Sequence, residues 1–180
     1  MILPVAAVLF LCFVAENSIE AWSALHVERT LGAPAGQGGF GPTMLGLTMG
    51  VARLGGHYAV TRLGEIGLIL WSVALGTLGA AVLAAAPTPI VGMAGIALMG
   101  LGVAVVVPTA NSILGRLVRP DQRGQAISRA WMIGFTGFFL GPVMMGQISE
   151  VVGLRAAFAV IAVMVALIAP FVLILRARGG

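Results

Sequence analysis

Long apolar stretches separated by short polar breaks form the main pattern of this chain of 180 residues. Each stretch is about 20 residues long, the length of an α-helix that crosses the hydrocarbon core of a bilayer. The stretches lack the period-two alternation that the strands of a transmembrane β-barrel show. The pattern therefore predicts an all-α integral membrane protein with six transmembrane helices, at residues 2–23, 41–60, 66–85, 90–114, 125–149 and 154–175.

The polar breaks are short, apart from HVERTLGAPAGQGG between the first two predicted spans. This stretch is polar and rich in glycine, so we expect an exposed loop. The first apolar stretch, MILPVAAVLFLCFVA, lacks a positive n-region and is followed by more apolar chain. Both features favour a membrane span over a cleaved signal peptide. We expect residues 1–180 to form a single transmembrane domain.

The composition excludes a water-soluble domain. Only 9% of the residues are charged and 59% are hydrophobic, whereas a soluble domain is usually about 25% charged. The net charge of +4 and the pI of 11.1 reflect arginines at predicted helix ends and in short loops, where membrane proteins place them. We therefore expect a lipid bilayer, and not nucleic acid, as the partner. Cys12 stands alone, so neither a disulfide nor a cysteine metal cluster is expected.

The arginines also predict the orientation of the spans, because cytoplasmic loops of membrane proteins carry an excess of basic residues. With the N-terminus in the cytoplasm, the loops and the tail on the cytoplasmic side hold Arg62, Arg116, Arg119, Arg123, Arg176 and Arg178. The loops on the opposite side hold Arg29 and Arg155. This bias predicts that both termini are cytoplasmic.

Two pairs of glycines lie four residues apart inside predicted spans: Gly46 with Gly50, and Gly137 with Gly141. Small residues at this spacing let two helix backbones approach closely, and such packing holds helices together in lipid. We therefore predict helix–helix contacts at both pairs.

Two prolines inside predicted spans interrupt the backbone hydrogen bonding. Pro108 leaves the carbonyl of Ala104 without its helical donor, and Pro142 does the same to Phe138. We expect a bend at each proline. Together with the glycines, the bends indicate close and adjustable packing, for which a rigid membrane anchor has little use.

The stretch GFFLGPVMMGQISEVVGLRAAF resembles the eleventh span, and the turn after it, of the major facilitator superfamily of transporters. ENSIEAWSAL and GLGVAVVVPTANSILGRL resemble the seventh and tenth spans of its fucose-permease-like branch. The residues that meet the pattern of the eleventh span are Gly137, Gly141, Pro142, Gly146, Gly153, Leu154, Arg155, Ala157 and Phe158.

The resemblance covers almost the whole chain and implies that its six spans are the seventh to twelfth of such a transporter. It implies a half-bundle made of two inverted three-helix repeats, in the inner membrane of a bacterium. The partners it implies are a small-molecule substrate and either an N-terminal six-span half or a second copy of this chain. Whether the chain is a fragment or a complete half-transporter stays open.

The family's cytoplasmic signature is partly present in GGHYAVTRLGEIG. Arg62 and Gly64 match it, whereas Thr61 stands in place of an aspartate and Glu65 in place of a basic residue. The resemblance implies that this loop latches the two halves of the transporter. The two departures weaken that latch.

Charged residues inside a span are costly and suggest a functional site. Glu16 and Glu20 lie four residues apart on one face of the first span, with Asn17 beside them. A carboxylate there can take a proton, pair with a cation, or accept hydrogen bonds from a sugar hydroxyl. For Glu20 the favoured alternative is a position in water at the outer mouth. Arg53 is the natural partner of a buried Glu16, unless its side chain snorkels to the interface.

Three further residues are candidates for the transport site, and each also has an alternative structural role. Asn111 either faces a central cavity or bonds to the carbonyls that Pro108 frees. Arg129 either contacts a substrate or snorkels, and snorkelling is favoured. Trp22 either lines a sugar-type site or anchors the helix at the interface, which is the simpler interpretation.

The chain contains no phosphate-binding Gly-Lys-Ser/Thr motif, no Ser-His-Asp arrangement and no metal-ligand spacing. We therefore expect neither an enzyme nor a cofactor. The favoured function is transport of a small solute, such as a sugar, with proton coupling as a possibility that the carboxylates raise. The alternatives are efflux of an amphipathic or cationic compound and a non-transporting membrane subunit.

Overall fold

The computed structural model describes residues 2–179 and consists of helices and their connections in that range. Helix α1 (Ile2–Leu25) continues into a π-helical turn (His26–Thr30). The other helices are α2 (Phe40–Ala85), α3 (Pro89–Val103), α4 (Val106–Leu117), α5 (Arg123–Ala166) and α6 (Ile168–Gly179), with a 3₁₀ turn (Pro120–Gln122) before α5. Four helical stretches are long and apolar enough to span a membrane: Ile2–Thr30, Phe40–Ala85, Pro89–Leu117 and Pro120–Ala177. They confirm the prediction of an all-α membrane protein.

Helix α2 reverses direction at Gly64, which has φ +67° and ψ 167°. This conformation is nearly restricted to glycine. Before the reversal, Arg53 contacts Ala104 and a Cβ on Gly56 would lie 3.0 Å from Val105. Thr48 likewise contacts Gly100. In all three contacts the residue numbers rise together, so the first arm of α2 (residues 40–63) runs parallel to α3. The second arm (residues 65–85) is antiparallel to α3, because residue pairs 83–95 and 72–102 are in contact.

Helix α5 reverses in the same way at Gly153, with φ +82° and ψ 163°. Its first arm (residues 123–152) is parallel to α1, since a Cβ on Gly134 would lie 2.8 Å from Leu9 and one on Gly146 would lie 3.3 Å from Trp22. After the reversal, the ring of Phe158 lies 4.7 Å from that of His26. Further on, residues 171 and 174 of α6 share a groove with residues 2–4, so the second arm of α5 (residues 154–166) and α6 after it run antiparallel to α1.

The two prolines predicted to bend their helices behave differently. The helical hydrogen bonding is interrupted between the end of α3 at Val103 and the start of α4 at Val106, although Ala104 and Val105 keep right-handed helical dihedral angles. Pro142 lies inside α5, whose dihedral angles stay helical on both sides of it. The freed carbonyls of Ala104 and Phe138 therefore need donors from elsewhere in the fold.

Glycines make the closest helix contacts. Gly141 is buried, and a Cβ there would lie 2.6 Å from the carbonyl oxygen of Val14, so α5 packs directly on the backbone of α1. Gly95 makes an equally close contact with Leu83 of α2. The predicted contact at Gly46 and Gly50 is wrong within this chain: both are exposed and meet nothing within 4 Å, because they lie on the outward face of α2.

Candidate functional site

A cavity of about 630 Å³ lies between α1, α2, α4 and α5. Its wall is mainly apolar, with residues such as Phe13, Val60 and Leu68, and carries a few polar groups. A mostly apolar pocket with a small number of polar groups is the usual form of a small-molecule site. The polar groups on the wall are Glu16, Arg53, His57, Glu65, Thr109, Asn111, Ser112 and the indole of Trp131. Three of the predicted site residues, Glu16, Arg53 and Asn111, therefore share one cavity.

Arg53 binds the carbonyl that Pro108 frees. Its Nε donates to the carbonyl oxygen of Ala104 at 3.3 Å. Arg53 forms no ion pair with Glu16 in this conformation, since the ion pairs within residues 2–179 join Arg116 to Glu65 and Arg119 to Asp121. The physical reason is the unsatisfied carbonyl, which offers a buried acceptor to the guanidinium.

Asn17 satisfies the corresponding free carbonyl in α5. Its Nδ2 amide donates to the carbonyl oxygen of Phe138, the group that Pro142 leaves without a helical donor. Trp22 donates from Nε1 to the carbonyl oxygen of Pro142 at 3.1 Å. Both side chains therefore join α1 to α5, and neither belongs to the wall of the cavity.

Asn111 faces the cavity and accepts a hydrogen bond at Oδ1 from Trp131 Nε1 at 3.1 Å. The indole of Trp131 in turn lies 5.5 Å from the ring of Phe13, between centroids. Phe135 stacks on Phe13 at 5.3 Å. Sequence reasoning missed Trp131. The sequence offered only a weak signal, a tryptophan six residues into the fifth predicted span, near the interface where this residue usually anchors a helix.

Glu20 and Arg129 lie outside the cavity. Both side chains are exposed. The position of Glu20 in water at the outer mouth and the snorkelling of Arg129 stay predictions.

The turn at Gly64 carries its own polar contacts. Glu65 forms an ion pair with Arg116 of α4 and accepts a hydrogen bond from Ser112 Oγ at 2.7 Å. Arg62 lies over the ring of Tyr58, 5.3 Å from its centroid. The acid at position 65, a departure from the family signature, thus ties the turn to α4. No group of three His, Cys, Asp or Glu side chains suited to a metal ion occurs within residues 2–179.

Comparison with known proteins gives consistent matches. The family model of the Major Facilitator Superfamily matches residues 5–179. An uncharacterized MFS-type transporter of Yersinia pestis is 29% identical over 164 residues, which are 89% of this chain. The membrane protein MosC of Rhizobium meliloti is 31% identical over 172 residues, or 95% of this chain. An uncharacterized transporter of Sinorhizobium fredii is 27% identical over 162 residues.

The matched regions make up 42% of the length of each of these three relatives. The likeness therefore extends over nearly all of this chain and less than half of each relative. Together with the long apolar helices, the family match establishes an integral membrane protein. The chain belongs to the major facilitator superfamily.

Proposed function

We propose that this chain is the C-terminal half of a secondary transporter that moves a small polar solute by alternating access. The observation that carries the proposal is the shared cavity, onto which α1, α2 and α4 bring Glu16, Arg53 and Asn111. Charged groups at membrane depth are expensive and are retained where they bind or move something. Relatives named as transporters support the same function.

We propose six membrane crossings, an interpretation that the two reversals support. Each arm of α2, the first arm of α5, and the second arm of α5 taken together with α6 have about the length of one crossing or more, and the turns at Gly64 and Gly153 join arms that run in opposite directions. In each group of three crossings the reversal lies between the second and the third. This equivalence supports two three-helix repeats of inverted topology. Both termini are then cytoplasmic, on the side where the arginines are concentrated.

The cavity requires a partner to become a transport site. In alternating access, two halves rock around a site near the midplane of the bilayer. We propose that an N-terminal six-span half, or a second copy of this chain, closes the cavity in the inner membrane of a bacterium. The bacterial origin of the relatives supports that location.

Within the site, each polar residue has a proposed role. Glu16 binds a proton or a cationic group, and Asn111 donates hydrogen bonds to the solute through its amide nitrogen. Arg53 holds α4 at the Pro108 break and presents the rest of its guanidinium to the cavity. Asn17 and Trp22 keep α1 on α5 during the motion.

The apolar part of the wall favours a second candidate, the efflux of an amphipathic or cationic compound. Phe13 and Trp131 offer aromatic faces next to the carboxylate of Glu16. A cation attracted by both would bind well in such a place. This candidate predicts export, whereas the first predicts accumulation inside the cell.

The test is transport by the protein at its natural length in cells that express Glu16→Gln or Glu20→Gln at equal levels. The proposal expects Glu16→Gln to abolish accumulation or export, and Glu20→Gln to keep most of it, because only Glu16 lines the cavity. A non-transporting membrane subunit would keep its function after either change. Transport that survives Glu16→Gln would contradict the proposed role of this carboxylate.

A further inference from the structure

The cavity holds two opposite charges that form no ion pair with each other. Glu16 on α1 and Arg53 on α2 both line its wall. Within residues 2–179 neither side chain takes part in an ion pair. The hydrogen bond of Arg53 to Ala104 uses Nε, so its two terminal amino groups are not occupied by that bond.

The other charged groups at the cavity do not change this balance. Glu65 is the second acid on the wall, and it forms an ion pair with Arg116. His57 lies on the wall as well and is exposed. Within residues 2–179 the wall therefore presents one carboxylate and one guanidinium that are not held in an ion pair.

Glu16 is half-buried and Arg53 is exposed on this chain, so both lose water when a partner closes the cavity. A charge that loses water without gaining an ion-pair partner is costly, and a bound solute that pairs with it recovers part of that cost. A simple cation would pair with Glu16 and leave Arg53 alone, and a simple anion would do the reverse. A neutral polyol would compensate neither. A solute with both charges compensates both at once.

The remaining wall groups suit such a solute. The Oδ1 of Asn111 is taken by Trp131, which leaves the amide nitrogen of Asn111 to donate to a carboxylate or carbonyl group. The rings of Phe13 and Trp131 provide an apolar surface for its carbon skeleton and a favourable face for an ammonium group.

We propose that the solute of this site is a zwitterion, an amino-acid-like compound whose ammonium group pairs with Glu16 and whose carboxylate pairs with Arg53. This inference rests on the proposed transport function and narrows its substrate class. It departs from the sugar-type solute that the resemblance of the sequence suggested.

The test is equilibrium binding to the protein at its natural length, purified in detergent and measured by calorimetry with two matched sets of probes. The first set is L-phenylalanine, phenethylamine and 3-phenylpropionate, and the second is 5-aminopentanoate, pentylamine and pentanoate. The sets differ in the distance between their two charges. D-glucose serves as the neutral polyol. In at least one set the zwitterion is expected to bind about 10- to 100-fold more tightly than either singly charged probe, the effect of one charged hydrogen bond.

Two variants assign the charges. Glu16→Gln is expected to weaken the binding of the zwitterion and of the amine, and to leave the binding of the acid unchanged. Arg53→Gln is expected to weaken the binding of the zwitterion and of the acid, and to leave the binding of the amine unchanged. Glu150→Gln and Arg123→Gln change exposed residues outside the cavity and serve as matched controls. The melting temperature of each variant is measured first, so that binding is compared only between folded proteins.

Three results would overturn the proposal: a singly charged probe that binds as tightly as the zwitterion in both sets, glucose as the tightest ligand, or no binding by any probe. Tightest binding by the acids would instead indicate an anion site with a protonated Glu16. Counterflow of the labelled zwitterion in proteoliposomes is measured separately. Tight binding without counterflow contradicts the transport function and leaves the zwitterion site standing.

Discussion

Arg53 Nε lies 3.3 Å from the carbonyl oxygen of Ala104, the acceptor that Pro108 deprives of its helical donor. Arg53 on α2 therefore satisfies the free carbonyl at the break between α3 and α4. Restoring the helical donor is expected to make Arg53 less important for stability. The Pro108→Ala change supplies an amide N–H that can reach Ala104.

We therefore predict that Arg53→Gln lowers the free energy of unfolding less in a Pro108→Ala background than in the natural protein. Coupling between contacting groups is typically about 0.5 to 3 kcal/mol. The measurement is thermal unfolding in detergent of the natural protein, the two single variants and the double variant. Strictly additive effects would show that Arg53 does not serve the freed carbonyl.

Asn17 and Trp22 allow a ranking of two hydrogen bonds to α5. Asn17→Leu removes a donor from Phe138, whose helical donor position is already empty, whereas Trp22→Phe removes one from Pro142, whose carbonyl keeps a helical donor further along α5. We predict that Asn17→Leu costs more, between the average of about 0.6 kcal/mol and the maximum of about 1.7 kcal/mol for hydrogen bonds between membrane helices. Chemical unfolding monitored by circular dichroism gives both values. An equal or larger loss for Trp22→Phe would contradict the ranking.

Gly141 is predicted to tolerate no side chain. A Cβ there would lie 2.6 Å from the carbonyl oxygen of Val14 and 2.9 Å from Ser18 Oγ. We expect Gly141→Ala to separate α5 from α1 and to cost about 1 to 3 kcal/mol, the usual penalty of overpacking. Gly50→Ala is the control, since a Cβ at Gly50 meets nothing within 4 Å. Equal melting temperatures for the two variants would show that the α1–α5 contact adapts.

The turn at Gly64 is predicted to need glycine for its backbone alone. No atom lies within 4 Å of a Cβ at this position, so space is not limiting, but φ is +67° and ψ is 167°. A non-glycine residue in this region costs about 1 to 3 kcal/mol. We expect Gly64→Ala to lower stability by that amount, while Gly67→Ala, three residues on and at helical dihedral angles, has little effect or raises it. The melting temperatures of both variants decide the point.

The sequence predicted the helices and the composition of the site better than it predicted the contacts. Apolar length and the low charge content are enough to predict membrane helices. Glu16, Arg53 and Asn111 were identifiable because polar groups inside apolar stretches are rare. Their partners were not, since the spacing along one chain leaves open whether Arg53 meets a carboxylate on α1 or a carbonyl next to α4.

The glycine pairs show the same limit. Gly46 with Gly50 and Gly137 with Gly141 have identical spacing, yet only the second pair is buried in a helix contact. Which face of a helix turns inward depends on the rotation of that helix against its neighbours. Tertiary packing sets this rotation, and a short motif does not contain it.

Trp131 gives the cavity an optical signal of its own. The chain has three tryptophans. Trp71 is 67% exposed, Trp22 is hydrogen-bonded to α5, and Trp131 is the one of the three that lines the cavity. A solute that competes for Asn111 changes the polarity around this indole and shifts its emission. In a protein where Trp131 is the one tryptophan left, fluorescence becomes a direct reading of the occupied and empty states, without a label.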